Sequence, residues 1–154
     1  MKELFEYRRK LMERLLETAK EFRTACLTVK DPHASLEEGW SLHQIAVHTR
    51  DVNQLVYGLR VRQTVVEDNP EFPNFDGNVY LAENYDAGES FADLLDRFVE
   101  NAEALAEFLQ ALPVEAWSRL SRHTTLGNGL TLQSWVEKDL AHIEEHLETV
   151  KKAK

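Results

Sequence analysis

The sequence predicts an all-α fold, a four-helix bundle that forms a single domain over residues 1–154. Apolar residues recur at intervals of three, four or seven in four separate stretches, which is the pattern of amphipathic helices. A chain of 154 residues has the size of one domain and can bury a sizeable core. The single cysteine, Cys26, rules out an internal disulfide, so we expect helix packing to stabilise the fold.

Predicted helices 1 and 3 have regular apolar stripes. The stripe of helix 1 is Leu4, Leu11, Leu15, Phe22, Cys26 and Val29, and that of helix 3 is Phe91, Leu94, Phe98, Ala102, Leu105, Leu109 and Leu112. Pro32 ends the first region and Pro113 the third, because proline cannot continue the hydrogen bonds of a helix. Ser90 is the predicted N-cap of helix 3. Cys26 lies on an apolar face, which indicates a packed side chain rather than a nucleophile.

Predicted helix 2 begins at a capping box, in which Ser41 is the N-cap and Gln44 lies three residues later. Its apolar stripe is Ile45, Val52, Val56 and Leu59. At about 100° per residue, His48 falls about 40° from Val52, so His48 should point into the core. His43 falls about 140° from His48, so we expect it to face solvent and exclude it as a ligand.

Two irregular segments separate the remaining helices. Residues 61–89 contain four proline or glycine breakers and several aromatic residues, which predicts a long connection that either packs across the bundle or acts as a lid. Residues 117–131 contain the turn signal Gly127-Asn-Gly129, which predicts an irregular loop or a small hairpin that includes His123.

Predicted helix 4 contains two histidines on one face. Thr131 is its predicted N-cap, and its apolar stripe is Leu132, Val136, Leu140, Ile143, Leu147 and Val150. His142 and His146 are four residues apart, and that spacing stacks two imidazoles one turn apart. Two such imidazoles can bind a single divalent metal, and a third ligand would leave a coordination position for water or substrate.

The depth of each histidine in the bundle suggests His48 as the third ligand. With about 1.5 Å per residue, His48 lies about 10 Å from one end of the bundle. In antiparallel helices 2 and 4, His142 and His146 would lie about 6 to 12 Å from the same end. This requirement predicts an up-down-down-up order, in which the connection 61–89 crosses the bundle and makes helices 2 and 3 parallel. A core histidine that bonds a backbone or hydroxyl group is the alternative for His48.

Two carboxylates are candidates for contact with the metal ligands. Asp139 precedes His142 by three residues and shares its edge of helix 4. It could orient a ligand imidazole through the second ring nitrogen, serve as a fourth ligand, or reach solvent at the edge of the groove. Asp51 flanks His48 and is a weaker candidate for the orienting role.

The charge of the chain argues against some classes of partner. Asp and Glu number 27 against 18 Lys and Arg, which gives a net charge of -9 that repels nucleic-acid phosphates. Charges interrupt every apolar run, so we expect no membrane-spanning helix. The N-terminus lacks the apolar region of a secretion signal, and with one cysteine this favours a cytoplasmic location.

The ordered set of motifs resembles the DinB/YfiT-like superfamily, with a DinB_2-type domain. The resemblance spans nearly the whole chain and depends on Trp40-Ser41 at the start of helix 2, His48 seven residues after that serine, the long crossover, the run Leu112-Pro-x-x-x-Trp117, and Leu-Ala-His142-x-x-x-His146 in helix 4. This resemblance implies a divalent metal, such as zinc or nickel, bound by His48, His142 and His146.

The same resemblance implies two kinds of function. Some relatives transfer or isomerise small-molecule substrates with low-molecular-weight bacterial thiols such as bacillithiol or mycothiol, but a shared fold does not transmit a reaction class. We therefore expect a metal-dependent enzyme of the thiol S-transferase or hydrolase type. The alternative is a non-catalytic bundle that binds a metal or small ligand and could form a homodimer through an exposed helix face.

Overall fold

Helices dominate the computed structural model, which describes residues 1–36 and 39–153. Four long helical segments form a bundle, and a three-stranded sheet and a short helix lie in the connections. The helices are α1 (Lys2–Leu27), α2 (Leu42–Val52), α3 (Leu59–Val66), α4 (Gly77–Asn84), α5 (Phe91–Gln110) and α6 (Leu132–Lys152), and the strands are β1 (Glu71–Phe72), β2 (Leu120–His123) and β3 (Gly127–Thr131). A 3₁₀ turn covers Val114–Ser118.

The predicted helix starts are confirmed by their hydrogen bonds. The Ser41 hydroxyl accepts from the Gln44 amide at 3.1 Å, and the Gln44 side chain accepts from the Ser41 amide at 2.8 Å. The Ser90 and Thr131 hydroxyls likewise accept from amides in the first turns of α5 and α6. Each cap satisfies a backbone donor that has no partner within its own helix.

The second bundle helix is longer than predicted and contains a π segment. A π turn at Asn53–Gly58 joins α2 to α3, so the helix continues to Val66. The wider π turn inserts a residue and shifts the apolar stripe around the helix axis. Leu59, predicted to be buried, is therefore 43% exposed, whereas Arg60 is 7% exposed. The uniform helical period used for the prediction is wrong beyond this segment.

The connection after α3 is more structured than the sequence predicts. The Asp76 carboxylate caps α4 by accepting from the amides of Asn78 and Val79. β1 pairs in parallel with β2, and β2 pairs with β3 in the predicted hairpin. The buried Phe72 ring lies 5.8 Å from the Trp135 ring, which anchors β1 on the bundle.

One hydrophobic core joins the four long helical segments. Its members include Leu15, Phe22, Leu42, Phe98 and Ile143, all fully buried. Phe22 of α1 meets Phe98 of α5 edge to face at 5.4 Å between ring centroids. In the described ranges, no helix combines the length and the apolar character needed to cross a membrane.

Candidate metal centre

Three histidine side chains converge between α2 and α6. His48 Nε2 lies 3.2 Å from His142 Nε2, which lies 3.0 Å from His146 Nε2. One nitrogen of each ring lies within 4.8 Å of the others. The two helical spacings bring the rings together, since His142 and His146 stack one turn apart on α6 and α2 presents His48 opposite them.

The environment keeps all three imidazoles neutral near pH 7. Burial, with a smaller contribution from the neighbouring imidazoles, lowers the pKa of His48 to about 4 and that of His142 to about 3. Burial also lowers the pKa of His146. A neutral imidazole has a free lone pair, which is the form that ligates a metal.

The His48 ring is packed by residues from two other segments. The Trp40 ring, just before α2, lies 5.2 Å from it in an edge-to-face arrangement. Gly77 at the start of α4 lies so close that a Cβ added there would be 2.7 Å from His48 Cε1. Only a glycine leaves room for the ring in this position, so α4 and the segment before α2 both fix His48.

Asp139 carries a carboxyl group on α6, three residues before His142. It is fully buried, and its Oδ2 accepts from Asn53 Nδ2 at 2.8 Å. Burial, opposed in part by the Asn53 hydrogen bond, raises the pKa of Asp139 to about 8. Asp139 Oδ1 and His142 Nδ1 are the two buried side-chain polar atoms without a hydrogen-bond partner in the described chain.

Asp51 lies in a different network. Its Oδ1 accepts from Arg50 Nε at 3.0 Å, and Arg50 also pairs with Glu89. Over residues 1–36 and 39–153, no hydrogen bond joins Asp51 to His48, His142 or His146. Its charge is thus balanced by an arginine rather than by the histidine cluster.

The prediction that His43 faces solvent is wrong, because this residue is fully buried. Its Nε2 donates to the Glu89 carbonyl at 2.8 Å, and its Nδ1 accepts from the Tyr85 hydroxyl at 2.7 Å. The His33 ring stacks on it at 4.6 Å. The connecting segments cover the side of α2 that the helical wheel assigns to solvent, and both ring nitrogens are used within the protein.

An open cavity adjoins the histidine cluster. It has a volume of about 280 Å³ and is lined by His48, His142, Tyr57, Arg60 and Phe75, among others. An adjacent cavity of about 390 Å³ shares His142, Tyr57 and Arg60. His123 also lines the first cavity, but its Nδ1 accepts from the amides of Thr125 and Leu126.

Sequence reasoning missed Tyr57 and Arg60. Arg60 comes four residues after Val56, so it falls about 40° from an apolar stripe position. A charged residue at such a position needs a compensating partner. This signal was present in the sequence and could have identified Arg60 as a candidate site residue.

Comparison with known proteins identifies the family. The model of the DinB superfamily, in its DinB_2 form, matches residues 4–150. The fold matches the solved structure of YfiT from Bacillus subtilis with a TM-score of 0.86 and 18% sequence identity, over 96% of this chain and 86% of that one. YfiT is described as a probable metal-dependent hydrolase with an unusual four-helix bundle topology. No curated protein matches the sequence. The chain belongs to the DinB superfamily.

Proposed function

We propose that this protein is a metal-dependent enzyme, of the hydrolase type, in which His48, His142 and His146 bind one divalent metal. The observation that carries the proposal is the convergence of three neutral imidazoles within 4.8 Å, two of which, His48 and His142, line an open cavity. Catalytic metal sites use three protein ligands and keep a position free for water or substrate, whereas structural sites are closed.

The donor set fits a metal such as zinc or nickel. Imidazole nitrogens suit both ions, and burial favours the unprotonated form that ligates. The Nε2 atom of His142 faces the other two histidines. The Nδ1 atom of the same ring is buried without a hydrogen-bond partner. Asp139 lies three residues earlier and can orient the His142 ring by accepting from Nδ1.

The residues of the cavity have distinct roles in this proposal. A bound metal would acidify a water or thiol ligand and polarise a substrate carbonyl. Burial raises the pKa of Tyr57, whose phenol therefore stays protonated and can donate a hydrogen bond to a substrate oxygen. Trp40 packs edge to face against the His48 ring, and Phe75 lines the cavity that adjoins His48.

We rank hydrolysis above thiol transfer as the function because the structural relative YfiT is described as a probable metal-dependent hydrolase. A thiol S-transferase that uses a low-molecular-weight thiol is the second candidate from the family resemblance. The protein's own thiol does not supply the nucleophile, since burial raises the pKa of Cys26 to about 12. A non-catalytic bundle that binds a metal or small ligand is the remaining alternative.

Metal analysis and turnover assays on the same preparation separate these alternatives. Protein purified without an affinity tag would be loaded with zinc or nickel and incubated with a panel of esters and amides, with and without bacillithiol. Hydrolysis without thiol that His142→Ala abolishes supports the proposal. Turnover that requires the thiol supports the S-transferase. Stoichiometric metal without turnover on any substrate supports the non-catalytic alternative.

The up-down-down-up helix order is also a proposal, and inter-helix contacts support it. Tyr7 bonds Glu137, Arg14 pairs with Glu144, and Glu21 pairs with Lys151 at 3.2 Å, a series expected of parallel α1 and α6. Arg23 near the end of α1 pairs with Asp96 near the start of α5 at 2.8 Å, which is expected if α1 and α5 are antiparallel. The ring of His43 near the start of α2 lies 5.8 Å from that of Phe91 at the start of α5, as in parallel helices.

The proposal also bears on the size of the substrate and on the oligomeric state of the protein. A small-molecule substrate fits cavities of about 280 and 390 Å³. The cytoplasmic location, the absence of nucleic-acid binding and the homodimer remain predictions. Analytical ultracentrifugation would test the homodimer, for which the exposed Leu55, Leu59 and Val66 offer an apolar helix face.

A further inference from the structure

Arg60 is a buried cation beside the candidate metal centre. It is 7% exposed, and its Nη2 donates to the Pro73 carbonyl at 3.0 Å. In the described ranges Arg60 makes no ion pair. By contrast, Arg50 contacts carboxylate oxygens through three nitrogens, and Arg119 donates to carbonyl oxygens through two. A guanidinium has five N–H donors, so most of the donors of Arg60 remain available.

Three aromatic rings hold the guanidinium in place. Its Cζ lies 4.7 Å from the Trp135 ring, 5.7 Å from the Phe72 ring and 6.0 Å from the Tyr57 ring. Such contacts stabilise the cation through the ring faces and restrict its movement. The donors of Arg60 are therefore preorganised, although no acidic residue among those described pairs with them.

Arg60 and the histidine cluster share the same cavities. Arg60, Tyr57 and His142 line both the cavity of about 280 Å³ and the adjacent one of about 390 Å³. The Tyr57 ring centroid lies 6.0 Å from Arg60 Cζ and also 6.0 Å from the His142 ring centroid. One small molecule in the first cavity can therefore contact the guanidinium and reach His48 and His142.

Arg60 and Lys138 place positive charges in the walls of these cavities, in a protein with a net charge of -9. Burial lowers the pKa of His123 in the wall, and the charges of Arg60 and Lys138 lower it further. Glu145 is the carboxylate that lines the second cavity, and it is exposed at the rim. Burial of an unpaired cation costs free energy, which an incoming anion would offset.

We propose that the substrate carries an oxyanion, a carboxylate or a phosphate, which Arg60 binds while the reacting group lies at the histidine cluster. The proposal extends the hydrolase assignment and rests on it for the reaction, but the anion site itself can be tested without a metal. Planar guanidinium groups bind both oxyanions through paired hydrogen bonds, so Arg60 selects for charge and orients the substrate.

Titration of the metal-free protein tests the anion site. Acetate and phosphate would be added separately at constant ionic strength, balanced with chloride, while ¹⁵N–¹H spectra follow the Arg60 Nε–Hε signal and the amides of Thr125 and Leu126. We expect saturable shifts at these signals for at least one anion. The anion with the lower dissociation constant identifies the preferred group, carboxylate or phosphate.

Arg60→Met keeps an unbranched apolar stem and removes the charge. Arg62→Met is the matched control, because Arg62 lies on the same helix over the Phe108 ring at 5.3 Å but does not line either cavity beside the histidines. We expect Arg60→Met to weaken anion binding by at least about tenfold, which is the loss of one charge-assisted bond, and Arg62→Met to leave it unchanged. Arg60→Lys, which keeps the charge, should retain part of the affinity.

Each outcome decides the proposal. Absence of saturable shifts at Arg60 in the wild-type protein overturns it, as does equal weakening by Arg60→Met and Arg62→Met. If Arg60→Met does not fold, the wild-type titration and Arg60→Lys still decide. Anion binding at Arg60 in a protein that fails to bind zinc would retain the site and reject the metal-dependent function, so the two failures are distinguishable.

Discussion

Two histidine environments in this protein differ in how their ring nitrogens are used. His43 bonds the Tyr85 hydroxyl through Nδ1 and the Glu89 carbonyl through Nε2, so neither nitrogen is available to a ligand. His48, His142 and His146 instead direct one nitrogen each towards the other two. His43 is fully buried and the three clustered histidines are only partly buried, but burial alone does not identify a metal ligand. The hydrogen bonds of the ring nitrogens distinguish the two sets: a structural histidine uses both nitrogens within the protein, whereas a candidate metal ligand keeps one for the metal.

The largest expected effect comes from removal of a member of the cluster. His142→Ala should lower zinc affinity by more than about 100-fold, since loss of a residue that only supports a ligand already costs about 10- to 100-fold. His43→Ala should leave zinc affinity unchanged and lower the free energy of unfolding, because it leaves the Tyr85 hydroxyl and the Glu89 carbonyl without their partner. Competition against a zinc indicator and urea denaturation measure the two effects. Equal zinc affinities in the two variants would contradict the contrast.

Asp139→Asn should have the next largest effect, a loss of zinc affinity of about 10- to 100-fold. The amide oxygen can still accept from Asn53, but the amide nitrogen would then donate towards His142 Nδ1 and favour the tautomer with a proton on Nε2. That tautomer cannot ligate through Nε2. Zinc titration of this variant beside Asp51→Asn, whose carboxylate pairs with Arg50, tests which of the two acts on the cluster. The same loss in both variants would argue against a specific role for Asp139.

Gly77→Ala should have a smaller effect, a loss of zinc affinity of about tenfold. The added Cβ would lie 2.7 Å from His48 Cε1, so the ring must move. Gly88→Ala is the control, since its nearest atom is the exposed Asp86 carboxylate at 3.2 Å. Zinc affinity and the melting temperature of both variants separate displacement of His48 from loss of stability. Unchanged zinc affinity in a folded Gly77→Ala protein would show that the contact does not position the ring.

The smallest expected effect is a pH dependence of the metal-free protein. The pKa of an unfolded histidine is about 6.5, whereas folding lowers that of His48 to about 4 and that of His142 to about 3. As pH falls below about 6.5 the unfolded state takes up protons that the folded state does not, so the free energy of unfolding should decrease towards pH 4. Urea denaturation from pH 7.5 to 4 measures this slope. Wild-type protein should show a steeper slope than His48→Ala, and identical slopes would contradict the pKa shifts.

Periodicity predicted the bundle helices and the inward position of His48, because regular helices with good caps obey local rules. The prediction failed where non-local contacts decide. His43 is buried by distant segments that contain Tyr85 and Glu89, which the wheel of α2 cannot include. Beyond Val52, the π segment changed the phase of the helix and left Leu59 exposed, although the uniform period placed it in the buried stripe. β1 is two residues long and is defined by its pairing with β2, so the sequence of β1 carries little signal.

The most direct test of the central claim is to identify which imidazole nitrogens bind the metal. Long-range ¹H–¹⁵N spectra of untagged protein would be recorded before and after one equivalent of zinc. The account predicts that His48, His142 and His146 each shift at one nitrogen on saturation with one zinc, while both nitrogens of His43 keep their positions. A spectrum in which any of the three is unaffected, or in which His43 or His123 shifts as a ligand, would contradict it.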